Sequence, residues 1–354
     1  MKIPKPSMTA RKQFGRWIGI LLVIFSTIFT LLFLEILLRI VDPFQFRPKR
    51  DADIFASQTY RLSRNKDILY ELAPDSRAVF DGIDFQINSA GFRDKPYRIH
   101  KGDKKRIIFV GDSLTYGWLI PLADTYHKQL EIILHDRGYK VEAMGMGVVG
   151  YNLIQEYFLV KERVTRFNPD LLVLQIGPND FERTVSVKKT TNQGKLLLTP
   201  YHDFQIPYMF PNNGFSRFLM NHSHLFKFIN LKLYWLRKNR EKNFTPKDIF
   251  QMGEEKAFRY LDRIIDFSRN AKIPLAVVIF PFRNSGDHYI YAALHEKIAR
   301  WLRRMKIPFL DLNKSLNSVT DRNIWVDGLH PNRDGMEIAA RELADFIPPL
   351  FKQK

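Results

Sequence analysis

Ser113 closes the run Arg106-Ile-Ile-Phe-Val-Gly-Asp-Ser113, and His330 follows an aspartate by three residues in Trp325-Val-Asp327-Gly-Leu-His330-Pro331. A serine hydroxyl attacks a carbonyl well only when a neighbouring base takes its proton, and an imidazole is the natural base. A carboxylate three residues earlier in the same loop can bond the second ring nitrogen, fix the tautomer and stabilise the imidazolium formed during attack. The tetrahedral intermediate of such an attack also needs donors aimed at its oxyanion. Two further segments could come close to a reacting centre: Gly145-Met-Gly147-Val-Val-Gly150-Tyr-Asn152 and Gly177-Pro-Asn179-Asp180. Taken alone, Gly-Asp-Ser-Leu is a weak signal, because a serine or aspartate before a helix is commonly only its N-cap. Asp112 and Asp180 read more readily as loop-holding residues than as chemical ones.

Elements that could gather these residues follow from the hydrophobic pattern. A β-branched strand over 107–110 precedes a helix near 124–137 that Gly138 would end. Then come a strand over 140–144, a helix over 153–167 and a strand over 171–176. After an interruption follow a helix over 254–271, a strand over 275–280, a helix over 287–305, a short strand over 308–310 and a last helix near 335–346. Strands alternating with helices predict an α/β, flavodoxin-like three-layer α/β/α sandwich with about five parallel strands. The serine, glycine and asparagine segments each follow a strand, and the Asp327/His330 segment precedes the last helix. Those slots lie at the carboxyl edge of the sheet, where α/β proteins keep their ligands.

In this order and in these slots, Ser113, the Gly147/Gly150 loop, Gly177-Pro-Asn179-Asp180 and Asp327-x-x-His330 resemble the four blocks of the SGNH (GDSL) hydrolase superfamily. The resemblance covers about residues 106–346 apart from an insertion. It implies Ser113 as nucleophile, His330 as general base and Asp327 as its carboxylate. It also implies an oxyanion hole made by the backbone N–H groups of Ser113 and Gly150 and the side-chain amide of Asn179, with no cofactor and no metal. One departure is Gly145, where the family usually has asparagine, which puts the rigidity of that loop in question. Tyr116, Trp118 and Tyr151, close to the nucleophile and glycine loops, are candidate walls of a substrate pocket, with core packing as the equal alternative.

Competing readings are weaker. Gly145-x-Gly147-x-x-Gly150 also fits a dinucleotide fingerprint, which wants an acid about 20 positions on at a strand's end. Asp170 has the distance but precedes its strand, and Gln175 sits near the strand's end. His222-Ser-His224 lacks a matching third metal ligand, and His127, His202, His288 and His295 carry no motif. The net charge of +18 invites a nucleic-acid reading, but no zinc-finger, RNP-type or basic-zipper signature accompanies it. Anionic lipid or acidic polysaccharide accounts for that charge equally well. The sequence has no cysteine, which excludes disulfides, thiolate metal sites and a cysteine nucleophile.

The N-terminus supplies its own signal. Residues 1–16 carry Lys2, Lys5, Arg11, Lys12 and Arg16 and no acid, and an apolar stretch over 17–41 follows. That is long enough to cross a bilayer and predicts a single-pass transmembrane anchor in the inner (cytoplasmic) membrane. Its basic N-terminus would stay in the cytoplasm and the remainder would be periplasmic or extracellular. The residues after the stretch, Leu-Leu-Arg-Ile-Val-Asp-Pro, do not suit a signal-peptide cleavage site. Glu35 and Arg39, four apart, are expected to pair. Residues 43–105 read as a stem with a hairpin turning at Asp81-Gly82 and a tight turn at Gly91. The insertion, about 181–250, is too long for an ordinary connection. Phe215, Phe218, Leu219, Leu225, Phe226, Ile229, Leu233 and Leu236 predict one or two amphipathic helices in it, forming a cap, a lid or, with Lys227, Lys232, Arg237 and Lys238, an interfacial element.

The expectation is a membrane-anchored serine esterase or deacylase acting on O-acylated glycan or small esters through an acyl-enzyme. An O-acyltransferase to cell-envelope polysaccharide, fed by a membrane acyl-transport partner, is the alternative within the same chemistry. A non-catalytic glycan-binding or assembly protein is the alternative outside it.

Overall fold

A computed structural model of the chain describes residues 8–41, 55–56, 58–181, 186–192, 195–201, 210, 213–240, 247–284 and 288–352. Lys2, Lys5 and His202, and the side chains of Arg11, Lys12, Arg16, Leu236, Arg237 and Lys238, lie outside what it describes. Helix α1 spans Met8–Val41, and within it the 25 residues Trp17–Val41 are long and apolar enough to cross a membrane, with a mean hydropathy of 2.6. The stem holds two small antiparallel pairs, β1 (Tyr60–Leu62) with β2 (Tyr70–Leu72) and β3 (Arg77–Phe80) with β4 (Ile83–Gln86). Asp81 and Gly82 turn between the second pair with φ of 52° and 74°, the two positive values a type I′ hairpin requires.

The alternating unit begins at β5 (Lys105–Gly111) and the short α2 (Ser113–Tyr116), followed by α3 (Tyr126–Asp136), β6 (Val141–Gly147), α4 (Leu153–Arg163) and β7 (Leu171–Ile176). The insertion contributes an antiparallel hairpin, β8 (Ser186–Asn192) and β9 (Lys195–Tyr201), then α5 (Gly214–His222) and α6 (His224–Arg240). The alternation resumes with α7 (Lys247–Asn270), β10 (Leu275–Ile279), α8 (Ala292–Arg304), β11 (Phe309–Asp311), α9 (Asn313–Asn317) and α10 (Arg333–Phe346). The described residues fall into two compact units, α1 with α5 and α6 in one and the remaining elements in the other.

In the larger unit five parallel strands lie in the order β6-β5-β7-β10-β11. This is the flavodoxin-like order 2-1-3-4-5, and its switch point falls between β5 and β7. Alternation along each strand sends Ile108, Val110, Leu172, Leu174, Val277 and Ile279 to one face and Ile107, Phe109, Leu171, Val173, Ala276 and Val278 to the other. The first face packs on α4, α7, α8 and the stem; the second packs on α3, α9 and α10. With both faces covered, the strands read as continuous apolar runs.

The stem is more deeply built in than a strap at the domain's edge. Phe55, Phe80 and Phe85 pack around Trp118, and Phe85 stacks on Tyr116 at 5.6 Å and 8°. Arg93, buried, lies 4.0 Å over the Phe85 ring and donates to the carbonyls of Tyr116, Gly117 and Ile120. Of these, the Tyr116 oxygen is one that the end of α2 leaves without an intrahelical partner. Burial pulls this guanidinium down to about 10, so it stays charged at neutral pH.

In the smaller unit the Glu35 carboxylate pairs with Arg39 at 2.7 Å. It also accepts from the N–H groups of His224 and Leu225 and from the Ser223 hydroxyl. A carboxylate near the end of an apolar helix thus caps the N-terminus of α6, where the exposed N–H groups favour negative charge.

Candidate active site

The register pairs Gly111 with Gly147, so β5 and β6 end side by side and deliver their loops to one edge of the sheet. Ser113 opens α2 immediately after β5. Asp112 is the helix N-cap: its Oδ1 accepts from the Leu114 N–H at 2.9 Å, and its Oδ2 accepts from the Asn179 amide at 2.5 Å. Asn179 follows β7, so this bond crosses the switch point of the sheet. It also fixes which end of the Asn179 amide carries the nitrogen, because the reversed amide would set oxygen against a carboxylate. Asp180 accepts from the Gly177 N–H at 2.6 Å and holds the same turn.

His330 reaches this edge from a narrow loop before α10. Trp325 and Pro331 form an antiparallel bridge, the Val326 N–H donates to the His330 carbonyl, and the Asn332 N–H donates to that of Ile324. Asn332 then caps α10 through the N–H groups of Asp334 and Gly335. Inside the loop Asp327 Oδ1 accepts from the N–H groups of Leu329 and His330 at 2.7 and 2.8 Å. Its Oδ2 stands 2.8 Å from His330 Nδ1, and His330 Nε2 stands 2.9 Å from Ser113 Oγ.

Ser113 and His330 are each 8% exposed, whereas the Asp327 side chain is 42% exposed. Partial burial pushes the Asp327 carboxyl up. The hydrogen bond and charge of His330, with the two N–H donors, outweigh that and hold it below its ordinary value. With a carboxylate on Nδ1 the bonding network assigns the ring proton to that nitrogen, leaving Nε2 to accept from the serine hydroxyl.

The glycine segment differs from its expected form. β6 runs on to Gly147, so Gly145 and Gly147 belong to the strand and the loop is confined to 148–152. Gly145 stands in a place with no room for the family's asparagine, since a Cβ there would meet His127 Nε2 at 2.5 Å. Burial, with Lys128 and Arg93 nearby, drives His127 well below its ordinary value and keeps it neutral. The strand at Gly145 is held by its own bonds: the Gly145 N–H donates to Asp94 and its carbonyl accepts from the Tyr97 hydroxyl. Gly150 has φ +82° in a turn closed by the Tyr151 N–H on the Val148 carbonyl. Among the described residues the N–H groups of Ser113 and Gly150 have no hydrogen-bond partner.

The three aromatic residues expected near the site are packed otherwise. Tyr116 is 1% and Tyr151 2% exposed, so neither ring is open to a substrate, and Trp118 is half-buried among the stem phenylalanines. His222 is exposed with Nδ1 on the Phe218 carbonyl, and His224 is buried. Among the described residues no three His, Cys, Asp or Glu side chains are placed to hold a metal. One group had no signal in the sequence. Glu156, on α4, is fully buried, and among the described residues neither of its oxygens has a hydrogen-bond partner. Burial first, then the Asp180 and Asp112 carboxylates, push it well above the ordinary value, so it is a neutral acid behind the site.

Several solved structures are similar to the chain at low identity. TesA is 14% identical with a TM-score of 0.44, covering 70% of this chain and 99% of its own. The psychrotrophic esterase EstA from Pseudoalteromonas sp. is 13% identical with a TM-score of 0.43, covering 71% and 100%. The family 3 carbohydrate esterase of Clostridium thermocellum is 16% identical with a TM-score of 0.39, covering 71% and 98%. No curated protein matches the chain. The family model for GDSL-like lipases and acylhydrolases matches residues 109–338, well over half of the sequence and a span that takes in all four segments. By that extent the chain belongs to the GDSL-like lipase/acylhydrolase family.

Proposed function

We propose that the protein is a membrane-anchored serine esterase that removes acyl groups from O-acylated glycan or small esters, with Ser113, His330 and Asp327 as its triad. The observation that carries this reading is the 2.9 Å approach of His330 Nε2 to Ser113 Oγ while Asp327 occupies Nδ1 at 2.8 Å. As Oγ bonds to the ester carbonyl carbon, its proton passes to Nε2, and the Asp327 carboxylate stabilises the imidazolium. The carbonyl oxygen becomes an oxyanion met by the N–H groups of Ser113 and Gly150 and by the Asn179 amide. Collapse breaks the bond to the leaving alcohol, which takes the proton from Nε2 and leaves Ser113 acylated. Water, deprotonated by the same imidazole, then releases the carboxylic acid and restores the serine. No step needs a cofactor or a metal.

Anchoring rests on the apolar length of Trp17–Val41, about 37 Å as a helix. The basic residues before it favour a cytoplasmic N-terminus. Because the sequence has no cysteine, single cysteines introduced at positions 4 and 320 report topology with a membrane-impermeant maleimide in intact cells. Labelling at 320 alone is expected, and labelling at 4 contradicts the orientation. For the chemistry, an O-acetylated glycan or p-nitrophenyl acetate is offered to wild type and to Ser113→Ala. Free acetate from wild type only is expected. Acylated sugar in place of free acid would make the protein a transferase, and no turnover by folded wild type would leave it a binding protein.

A further inference from the structure

Tyr70 lies in the stem, outside the segment that matches the family, and is 1% exposed. Its ring packs edge-on against Tyr60 and Tyr151, and its hydroxyl donates to the Val149 carbonyl at 2.7 Å. The Tyr151 hydroxyl donates in return to the Tyr70 carbonyl at 2.6 Å. The peptide that receives the Tyr70 bond is the one whose N–H belongs to Gly150. In a trans peptide the carbonyl and the N–H point in opposite directions, so a donor holding the Val149 oxygen fixes where the Gly150 N–H points.

The turn itself does not fix that direction. Residues 148–151 are closed by one bond, from the Tyr151 N–H to the Val148 carbonyl. Gly150 has positive φ and Val149 does not, which makes the turn type II. Types I and II differ by a half-rotation of the central peptide, 149–150, with the closing bond kept in both. Glycine accepts either geometry readily. A half-rotation would aim the Gly150 N–H away from the reacting carbonyl and present the Val149 oxygen, an acceptor, in its place.

We infer that Tyr70 is a positioning residue for acyl transfer: its hydroxyl locks the 149–150 peptide so that the Gly150 N–H faces the oxyanion. The lock rests on the proposed oxyanion role of Gly150. It also strengthens that donor, since a hydrogen bond to a peptide carbonyl polarises the N–H at the other end. The stem thereby completes a site whose family segments begin some forty residues later.

The test compares Tyr70→Phe with Tyr97→Phe in the full-length, detergent-solubilised protein, using p-nitrophenyl acetate. Tyr97 is the control: a stem tyrosine whose hydroxyl stands 2.7 Å from a β6 carbonyl, that of Gly145, five residues before Gly150, and 2.9 Å from Asp94 Oδ2. Tyr70→Phe is expected to lower kcat by about tenfold to a hundredfold, short of the 10²–10³ that follows outright loss of a donor. KM stays within about twofold, because the ground-state carbonyl depends little on the oxyanion donors. Tyr97→Phe loses comparable thermal stability and keeps kcat. Equal kcat losses in both variants, or an unchanged kcat in Tyr70→Phe, overturn the inference. A folded wild type that is inactive and takes up no fluorophosphonate instead overturns the serine reading beneath it. Should Tyr70→Phe not fold, 3,5-difluorotyrosine at position 70 fills the same space with a stronger donor. A raised kcat supports the lock, and an unchanged or lower kcat refutes it.

Discussion

Asp327→Asn separates the proposed chemical role of the carboxylate from its role in shaping the loop. In the native loop Oδ1 accepts from the N–H groups of Leu329 and His330, while Oδ2 faces His330 Nδ1 at 2.8 Å. Asparagine can keep its oxygen on both N–H groups, so the turn survives, and its NH₂ then replaces Oδ2. That NH₂ is a donor and obliges Nδ1 to accept, which moves the ring proton to Nε2, where it points at Ser113 Oγ. The imidazole can no longer take the serine proton, and no carboxylate stabilises the imidazolium. A drop in kcat on the order of 10⁴ is expected for this wrong tautomer, equivalent to about 5.4 kcal/mol of transition-state stabilisation. Initial rates on p-nitrophenyl acetate measure it, with thermal unfolding in parallel and a Tm within a few degrees of wild type. Combining the change with Ser113→Ala should lower the rate no further than Ser113→Ala alone, because the groups act as a unit. A variant within tenfold of wild-type kcat, with its fold intact, would refute the assignment of the base and its partner.

Three other outcomes follow from the same geometry. Asn179→Ala should lower kcat by about 10² to 10³ with KM nearly unchanged, and a loss confined to KM contradicts an oxyanion role. Glu156 binds its proton in the folded state and gives it up on unfolding above the ordinary value of 4.5. Wild-type stability therefore declines as pH rises from there until the folded group ionises. Glu156→Gln lacks that decline, so its stability advantage in urea unfolding should widen by up to about 1.4 kcal/mol per pH unit between pH 5 and 7; a difference flat with pH contradicts a neutral buried acid. Gly145→Ala should destabilise by about 1–3 kcal/mol in urea unfolding through overpacking against His127, and by less when made in a His127→Ala background; equal costs in both backgrounds contradict the contact.

The sheet was legible because its strands are buried on both sides and appear as uninterrupted apolar runs such as Leu171–Ile176. Helix ends were legible where capping chemistry is local, as at Gly138 with φ +83° and Asn152 in its capping box. β6 was not, beyond residue 144, because glycines in a strand look like a loop until His127 is known to occupy the space a side chain would need. The juxtaposition of Ser113, Asn179, Asp327 and His330 could be expected from their slots in an α/β sheet, since each slot opens on the same edge. Stem residues carried no such signal. Arg93, Tyr70 and Tyr97 act through bonds to main-chain carbonyls 24, 79 and 48 residues away, and a single polar residue in an irregular stretch has no periodicity to reveal it. Tyr116 and Tyr151 show the converse: closeness in sequence to the reacting groups suggested a pocket, whereas packing against the stem buries both rings.

The most direct measurement is intact-protein mass after treatment with a fluorophosphonate, followed by mapping of the modified peptide. One adduct per chain on the peptide containing Ser113 is predicted, abolished in Ser113→Ala and strongly slowed in His330→Ala. A folded wild-type protein that takes up no phosphonate, or takes it up at another residue, would contradict the account.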